Sequence, residues 1–205
     1  SAAMQRTRNL STRSLWDPNY VDKTWINDRV QLIPRMKGWV NQHYPGTQIG
    51  ITEYSWGADD HINGATAQAD VLGILGREGV DIATRWTAPS ASSVTFKAFQ
   101  MYRNVDGAKQ GFGDRSVRAT VPDPDTLSAF AALRSDDGAL TVMVVNKDGA
   151  AHPVSLRLAN FGGASAQRWR LTGANRIQPL SALAVSGGQV LDTVPAQSIT
   201  LYAIR

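Results

Sequence analysis

The chain has 205 residues, 42% of them hydrophobic, which is enough for one large domain or two modest ones. Cysteine is absent, so disulfides and thiolate metal sites are excluded, and no run of eighteen or more apolar residues exists to span a bilayer. The net charge of +4 comes from Lys and Arg scattered along the chain rather than clustered, with no recognition helix or aromatic RNA-binding motif, which excludes a nucleic-acid partner.

The opening Ser1-Ala2-Ala3-Met4, running into Arg6, Arg8 and Arg13, carries no apolar segment of the signal-peptide kind. Either the protein is not exported or its start is missing. Residues 24 to 44 place Ile26, Val30, Ile33, Trp39, Val40 and Tyr44 at near-helical spacing, with Gly46 as a stop and Pro34 as an expected kink. Residues 48 to 54 then read as a short strand that ends in the Ser55-Trp56-Gly57 turn. A second helix is predicted from Ile62 to Gly76, where Gly64, Ala65, Ala69 and Gly73 permit close backbone approach and Gly79 suits a C-cap.

Val80 to Trp86 is a second strand, closed by Pro89, and Ser92 or Ser93 caps a third helix through Val94, Ala98, Met101 and Tyr102. The alternation of helix and strand is that of βα units on a parallel sheet. After Gly111 the pattern becomes antiparallel, with alternating segments at 127–133, 140–144, 154–158, 169–171 and 199–203 separated by Asp, Asn and Gly turns. The fold class is therefore α/β in residues 1–110 followed by an all-β sandwich in 111–205. Two parallel strands cannot bury a parallel sheet on both faces, so the first half reads as incomplete.

Only two glutamates occur, Glu53 and Glu78. Glu53 ends a strand, whereas Glu78 lies in the turn entering the next, and active sites of parallel α/β folds gather at the C-terminal strand ends. Strand parity groups Glu53 with Ile49 and Ile51, and Trp86 with Ile82 and Thr84, so both side chains would crown the mouth of a barrel. A carboxylate beside an indole suits sugar chemistry: one attacks the anomeric carbon, the other packs on the apolar face of a pyranose. Glu53 could equally cap a loop or pair with Arg85. Trp86 is open between sugar platform and core packing, and Trp56 and Tyr54 between lining the cleft and supporting it. Trp16 and Trp25 are weaker platform candidates. Asp59, Asp60 and His61 lack metal-ligand spacing and read as a solvated turn. His43 and His152 stand alone, and no serine-hydrolase elbow is present. The sandwich offers Trp169 as its main aromatic candidate and reads as an accessory domain.

The stretches Gly50-Ile51-Thr52-Glu53-Tyr54-Ser55-Trp56-Gly57, Asp60-His61-Ile62-Asn63-Gly64-Ala65 and Ala69-Asp70-Val71-Leu72-Gly73-Ile74-Leu75-Gly76-Arg77-Glu78-Gly79-Val80 resemble glycoside hydrolase family 44. So do Ser14-Leu15-Trp16-Asp17-Pro18, Ala83-Thr84-Arg85-Trp86 and Leu127-Ser128-Ala129-Phe130-Ala131-Ala132. The resemblance implies a secreted, retaining endo-β-1,4-glucanase or xyloglucanase built from a (β/α)8 barrel and a β-sandwich, with this chain as its C-terminal portion. It implies Glu53 as the nucleophile; Trp86, Trp56, Tyr54 and Arg85, which lie around it in the sequence, are the expected substrate-binding residues. It implies no cofactor beyond a structural calcium, for which no ligands can be assigned. The family's acid/base glutamate follows an asparagine near the end of barrel strand four, and no Asn-Glu pair exists here. The expected partners are thus a β-glucan and a complementary N-terminal barrel polypeptide, with no membrane or nucleic acid. The alternative is a non-catalytic glycan-binding or structural fragment.

Overall fold

The computed structural model describes residues 1–205. A helix α1 (Ala2–Ser11) and a 3-10 turn (Thr12–Leu15) lead through a long loop to α2 (Leu32–His43), β1 (Gly50–Tyr54), α3 (Ile62–Arg77), β2 (Ile82–Arg85) and α4 (Val94–Arg103). Eight further strands follow: β3 (Arg115–Val117), β4 (Leu127–Leu133), β5 (Leu140–Asn146), β6 (His152–Arg157), β7 (Ser165–Leu171), β8 (Ile177–Ala184), β9 (Gln189–Val194) and β10 (Ser198–Ile204). The chain is thus a mixed α/β fold with antiparallel sheets. β1 and β2 pair in parallel, β3-β4-β5-β10-β7-β8 form an antiparallel sheet, and β6-β9 form a separate two-stranded ribbon.

Several expectations meet corrections. The helix expected over 24–44 begins only at Leu32, which puts Pro34 in the first turn, where a missing N–H costs nothing and no kink arises. The preceding segment is held instead as a loop, because the buried Asp22 carboxylate accepts from the Thr24 amide and the Ser14 hydroxyl. Helix α1, and strands β3, β8 and β9, carried no predictive pattern. The capping serine is Ser93, whose hydroxyl accepts from the Phe96 amide at 3.1 Å.

The six-stranded sheet is covered on both faces. One face takes the helices: Phe130, Met143, Val145, Leu171, Ile199 and Leu201 join one apolar cluster with Ile74, Ala98 and Met101. The larger core therefore crosses the boundary drawn between residues 110 and 111. Helix α3 is its centre, buried at Gly73 because a methyl group there would lie 2.2 Å from the Phe130 ring. On the other face the β6-β9 ribbon packs Val154, Leu156, Val190 and Val194 over Val142, Val144, Tyr202 and Ile204.

The ribbon is fastened by charge as well. Asp192 on β9 accepts from Arg168 at 2.7 Å, from Arg170 at 2.8 Å and from the fully buried Tyr202 hydroxyl at 2.7 Å. Burial alone would raise the Asp192 pKa, but the hydrogen bonds from Tyr202 and Arg168 outweigh it and hold the carboxyl below its ordinary value. β6 has no partner on its outer edge, and beside it a hollow of about 750 Å³ is lined by Leu127, Ala129, Val142, Val144, Val154 and Leu156.

Two outcomes follow from this packing. Gly73→Ala forces Phe130 to move and lowers stability by about 1–3 kcal/mol, whereas Gly76→Ala, whose methyl meets nothing within 4 Å, leaves it equal or slightly raised; thermal unfolding of the two variants checks this. A carboxyl whose folded pKa is depressed contributes stability above its unfolded value, about 4, and loses it as the pH falls through the folded pKa. The protein therefore becomes less stable below about pH 4, and Asp192→Asn has a shallower acid limb in urea titrations between neutral and acidic pH.

Candidate active site

Strand β1 reaches its C-terminal end through a bulge. Ile51 pairs with Ala83 and Tyr54 with Arg85, so three steps on β1 face two on β2. Glu53 takes a left-handed backbone, φ 63°, a conformation that a residue with a side chain adopts only under constraint. The extra residue resets the alternation: Ile51 and Tyr54 point into the core, while Thr52 and Glu53 are both exposed. Glu53 therefore does not share a face with Ile51, as strict parity required. The exposure of its carboxylate follows from the bulge.

On β2 the alternation is intact. Ile82 and Trp86 are 62% and 61% exposed, with Thr84 exposed between them, and Ala83 packs against the core. The Trp86 amide donates to the Tyr54 carbonyl at 2.9 Å, which ties the exposed indole to the residue after Glu53. Glu53 and Trp86 thus stand at neighbouring strand ends, on the uncovered side of the two-stranded sheet.

The remaining candidates lie beneath that surface. Tyr54 is buried: its hydroxyl accepts from Gln68 Nε2 at 3.1 Å, and burial raises its pKa above the ordinary phenol value. Trp56 sits 6.3 Å from the Tyr54 ring, packs on the core, and donates from Nε1 to the Ser11 hydroxyl at 2.9 Å. Both support the site from behind. The Arg85 side chain is 6% exposed and turned away from the Trp86 face. Its guanidinium binds the Asp59 carboxylate, the Thr87 carbonyl and the Ser55 hydroxyl, joining the segments that leave both strands. Asp59 is therefore an ion-pair partner rather than part of a solvated turn, and His61 is the N-cap of α3, accepting from the Asn63 amide. Trp16 lies under the Arg77 guanidinium, 4.6 Å from ring centroid to Cζ, whereas Trp25 is 92% exposed in the loop before α2.

A buried polar chain, which no sequence motif announced, anchors this region. Arg8 donates to the Trp56 carbonyl and to Asn63 Oδ1, each at 2.7 Å. Asn63 Nδ2 donates to Asn9 Oδ1 at 2.7 Å, and Asn9 Nδ2 donates to the Lys147 carbonyl at 3.0 Å. Lys147 Nζ in turn meets the Asp70 carboxylate at 3.0 Å, with both side chains about 3% exposed or less. Thr12 and Ser128 hydroxyls complete the shell of Asp70. Neither Glu53 nor Trp86 lines any of the larger hollows of the molecule, and both side chains stand on an open surface at the strand ends.

No protein-family profile matches the chain. A crystal structure of a bifunctional glucanase-xylanase from a metagenome library is 61% identical, superposes with a TM-score of 0.98 and covers all of this chain, which spans 40% of that one. A Paenibacillus polymyxa xyloglucanase of glycoside hydrolase family 44 is 31% identical with a TM-score of 0.91, matching 98% of this chain and 41% of its own. Endoglucanase A of Paenibacillus lautus is 39% identical over 149 residues, which is 70% of this chain and 21% of that protein. The chain thus spans well under half the length of the relatives it matches.

The Arg85 bridge makes a local forecast. Arg85→Lys keeps one charge but not the planar fork that reaches three acceptors, so amide hydrogen exchange at residues 55–59 accelerates about tenfold, for the loss of about 1.4 kcal/mol of local stability, while the sandwich strands exchange as before.

Proposed function

We propose that this chain, 98% of which superposes on solved structures of glycoside hydrolase family 44, carries the nucleophile half of a retaining β-1,4-glucan hydrolase active site. The observation that carries the proposal is Glu53: a carboxylate held in a left-handed bulge at a strand end, exposed beside the indole of Trp86. A strained residue that is also solvent-facing and charged is costly unless its position is used. In this reading residues 1–110 are the last strand–helix units of a (β/α)8 barrel, and residues 111–205 are its accessory sandwich. The uncovered side of β1-β2 is then the barrel interior at its catalytic rim.

The chemistry divides between two carboxyl groups about 5–5.5 Å apart in a retaining site. The Glu53 oxygen attacks the anomeric carbon as the glycosidic bond breaks, and the second carboxyl protonates the departing oxygen. Water, activated by that second group, then releases the sugar from Glu53. Trp86 presents a flat apolar surface to the pyranose. Tyr54, Trp56 and Arg85 set the positions of Glu53 and Trp86 without meeting substrate. The substrate class is β-1,4-glucan, including xyloglucan, and the complete enzyme works outside the cell.

The second carboxyl group comes from polypeptide beyond these residues. Both outer edges of the β1-β2 sheet are unpaired, Ile82 and Trp86 are uncovered, and the hollow beside the free edge of β6 is apolar. A complementary N-terminal barrel polypeptide would satisfy the unpaired backbone and cover the apolar surface. A non-catalytic, glycan-binding fragment is the competing reading, and activity separates the two.

In the complete enzyme, Glu53→Gln abolishes hydrolysis of xyloglucan and carboxymethylcellulose while oligosaccharide binding persists, since an amide is no usable nucleophile; turnover at the wild-type rate would remove Glu53 from the mechanism. Trp86→Ala lowers kcat/KM on cello-oligosaccharides by about tenfold or more, the equivalent of roughly 1–3 kcal/mol of lost stacking, and an unchanged constant would make Trp86 a packing residue. The 205-residue chain by itself hydrolyses neither polymer, and adding a polypeptide that supplies the first six barrel strands restores activity in a reducing-sugar assay.

A further inference from the structure

We infer that the groove between α4 and the β7-β8 hairpin is a second glycan-binding site, which grips the same neutral β-glucan chain away from the cleavage point. This rests on the glucan-hydrolase reading above for its substrate, but on different residues for its geometry.

The groove has a floor and walls of different chemistry. Trp169 lies on the same face of β7 as the fully buried Leu171, yet it is only half-buried, packing against the larger core while still lining the groove. Its cross-strand neighbour is Pro179, which extends the flat apolar floor. Lys97, Gln100 and Asn104 follow one another along one flank of α4 at helical spacing and form a wall over about 10 Å. Arg176 stands at the hairpin opposite. The Gln100 side-chain amide and the Arg176 guanidinium line the groove without a hydrogen bond or ion pair to another side chain, so their donors are free for a ligand. Asn175 Nδ2 donates to the Ser92 carbonyl at 2.8 Å, which fixes the hairpin tip to the start of α4 and keeps the walls apart before anything binds.

An indole floor with amide and cationic donors above it matches the two sides of a pyranose: a face of C–H groups and a rim of hydroxyls. The volume, about 530 Å³, is that of a small-ligand site and suits a few sugar units of a longer chain. The hollow beside β6 and the one around Arg6, Asn9 and Asp123 have no Trp, Tyr or Phe in their lining.

The test is affinity electrophoresis of the complete enzyme carrying Glu53→Gln, in gels containing hydroxyethylcellulose, xyloglucan or carboxymethylcellulose. Adding Trp169→Ala is expected to lower retention about tenfold, a typical cost for one lost stacking platform. Because Trp169 also packs on the core, the rim variant Gln100→Ala/Arg176→Ala is run beside it and is expected to lower retention several-fold. In the Glu53 background, cleavage of a short cello-oligosaccharide too small to reach the groove reports that each variant is folded. Full retention by the rim variant and by a folded Trp169→Ala protein overturns the proposal. So does retention confined to carboxymethylcellulose and abolished by 0.5 M salt on the order of a 4 Å Debye length, since that would reflect charge alone. Residual hydrolysis by Glu53→Gln would instead strike at the nucleophile assignment and leave the groove result standing.

Discussion

The arrangement depends first on the carboxylate of Asp70, buried in the middle of α3 and faced by the buried ammonium of Lys147 at the end of β5. Two charges removed from water are costly, and their attraction offsets that cost only where the remaining lone pairs and protons are satisfied. Asp70 meets that condition through Thr12 and Ser128, so its partners, with Lys147, come from the 3-10 turn and the sandwich at once. Sliding α3 by one residue would leave the pair unmatched in an apolar core. The pair thus fixes register where apolar contacts alone, among Ile74, Met143 and Leu201, would tolerate alternatives.

That register is transmitted to the strand ends that carry Glu53 and Trp86. From Lys147 the hydrogen bonds run through Asn9, Asn63 and Arg8 to the carbonyl of Trp56, three residues beyond Glu53. From the other side, Arg85 joins Asp59 and Ser55 to Thr87, one residue beyond Trp86. Gly64 lets the 57–58 turn sit directly on the start of α3, since a methyl there would lie 2.1 Å from the Ala58 carbonyl oxygen. The exposed carboxylate and indole are therefore held from below by polar groups that are for the most part buried or half-buried. A surface built this way keeps its geometry without needing bound substrate to order it.

The sequence was informative where one physical demand dominated each residue. Helix α3 has small residues and a closing glycine that agree, and it appears within one residue of its expected end. The strand positions of Glu53 and Trp86 were legible from chain order. What stayed hidden required partners distant in sequence. The bulge at Glu53 depends on pairing with β2, so parity within β1 alone pointed the carboxylate to the wrong face. Arg85 was legible as a charge near the site but not as a buried clamp, because Asp59 is 26 residues away. Strand β8 carries Pro179 and β9 carries Asp192, residues that read as turn signals until Arg168, Arg170 and Tyr202 are placed around the latter.

The uncovered side of β1-β2 and the fastened sandwich set opposite demands on the same core. The sandwich face of α3 is dry, with Ala65, Ala69 and Ile74 buried, and its fixed polar pairs permit one arrangement. The sheet that α3 follows leaves Ile82 and Trp86 in water on its far side. Burial supplies the driving force for folding roughly in proportion to apolar area, so the helices are held chiefly by the sandwich and only weakly by the strands they flank. The sandwich is thus more than an appendage to the β1-β2 strands. It is the surface against which Glu53 and Trp86 acquire fixed positions, and the polar chain from Asp70 to Trp56 is the route by which they do so.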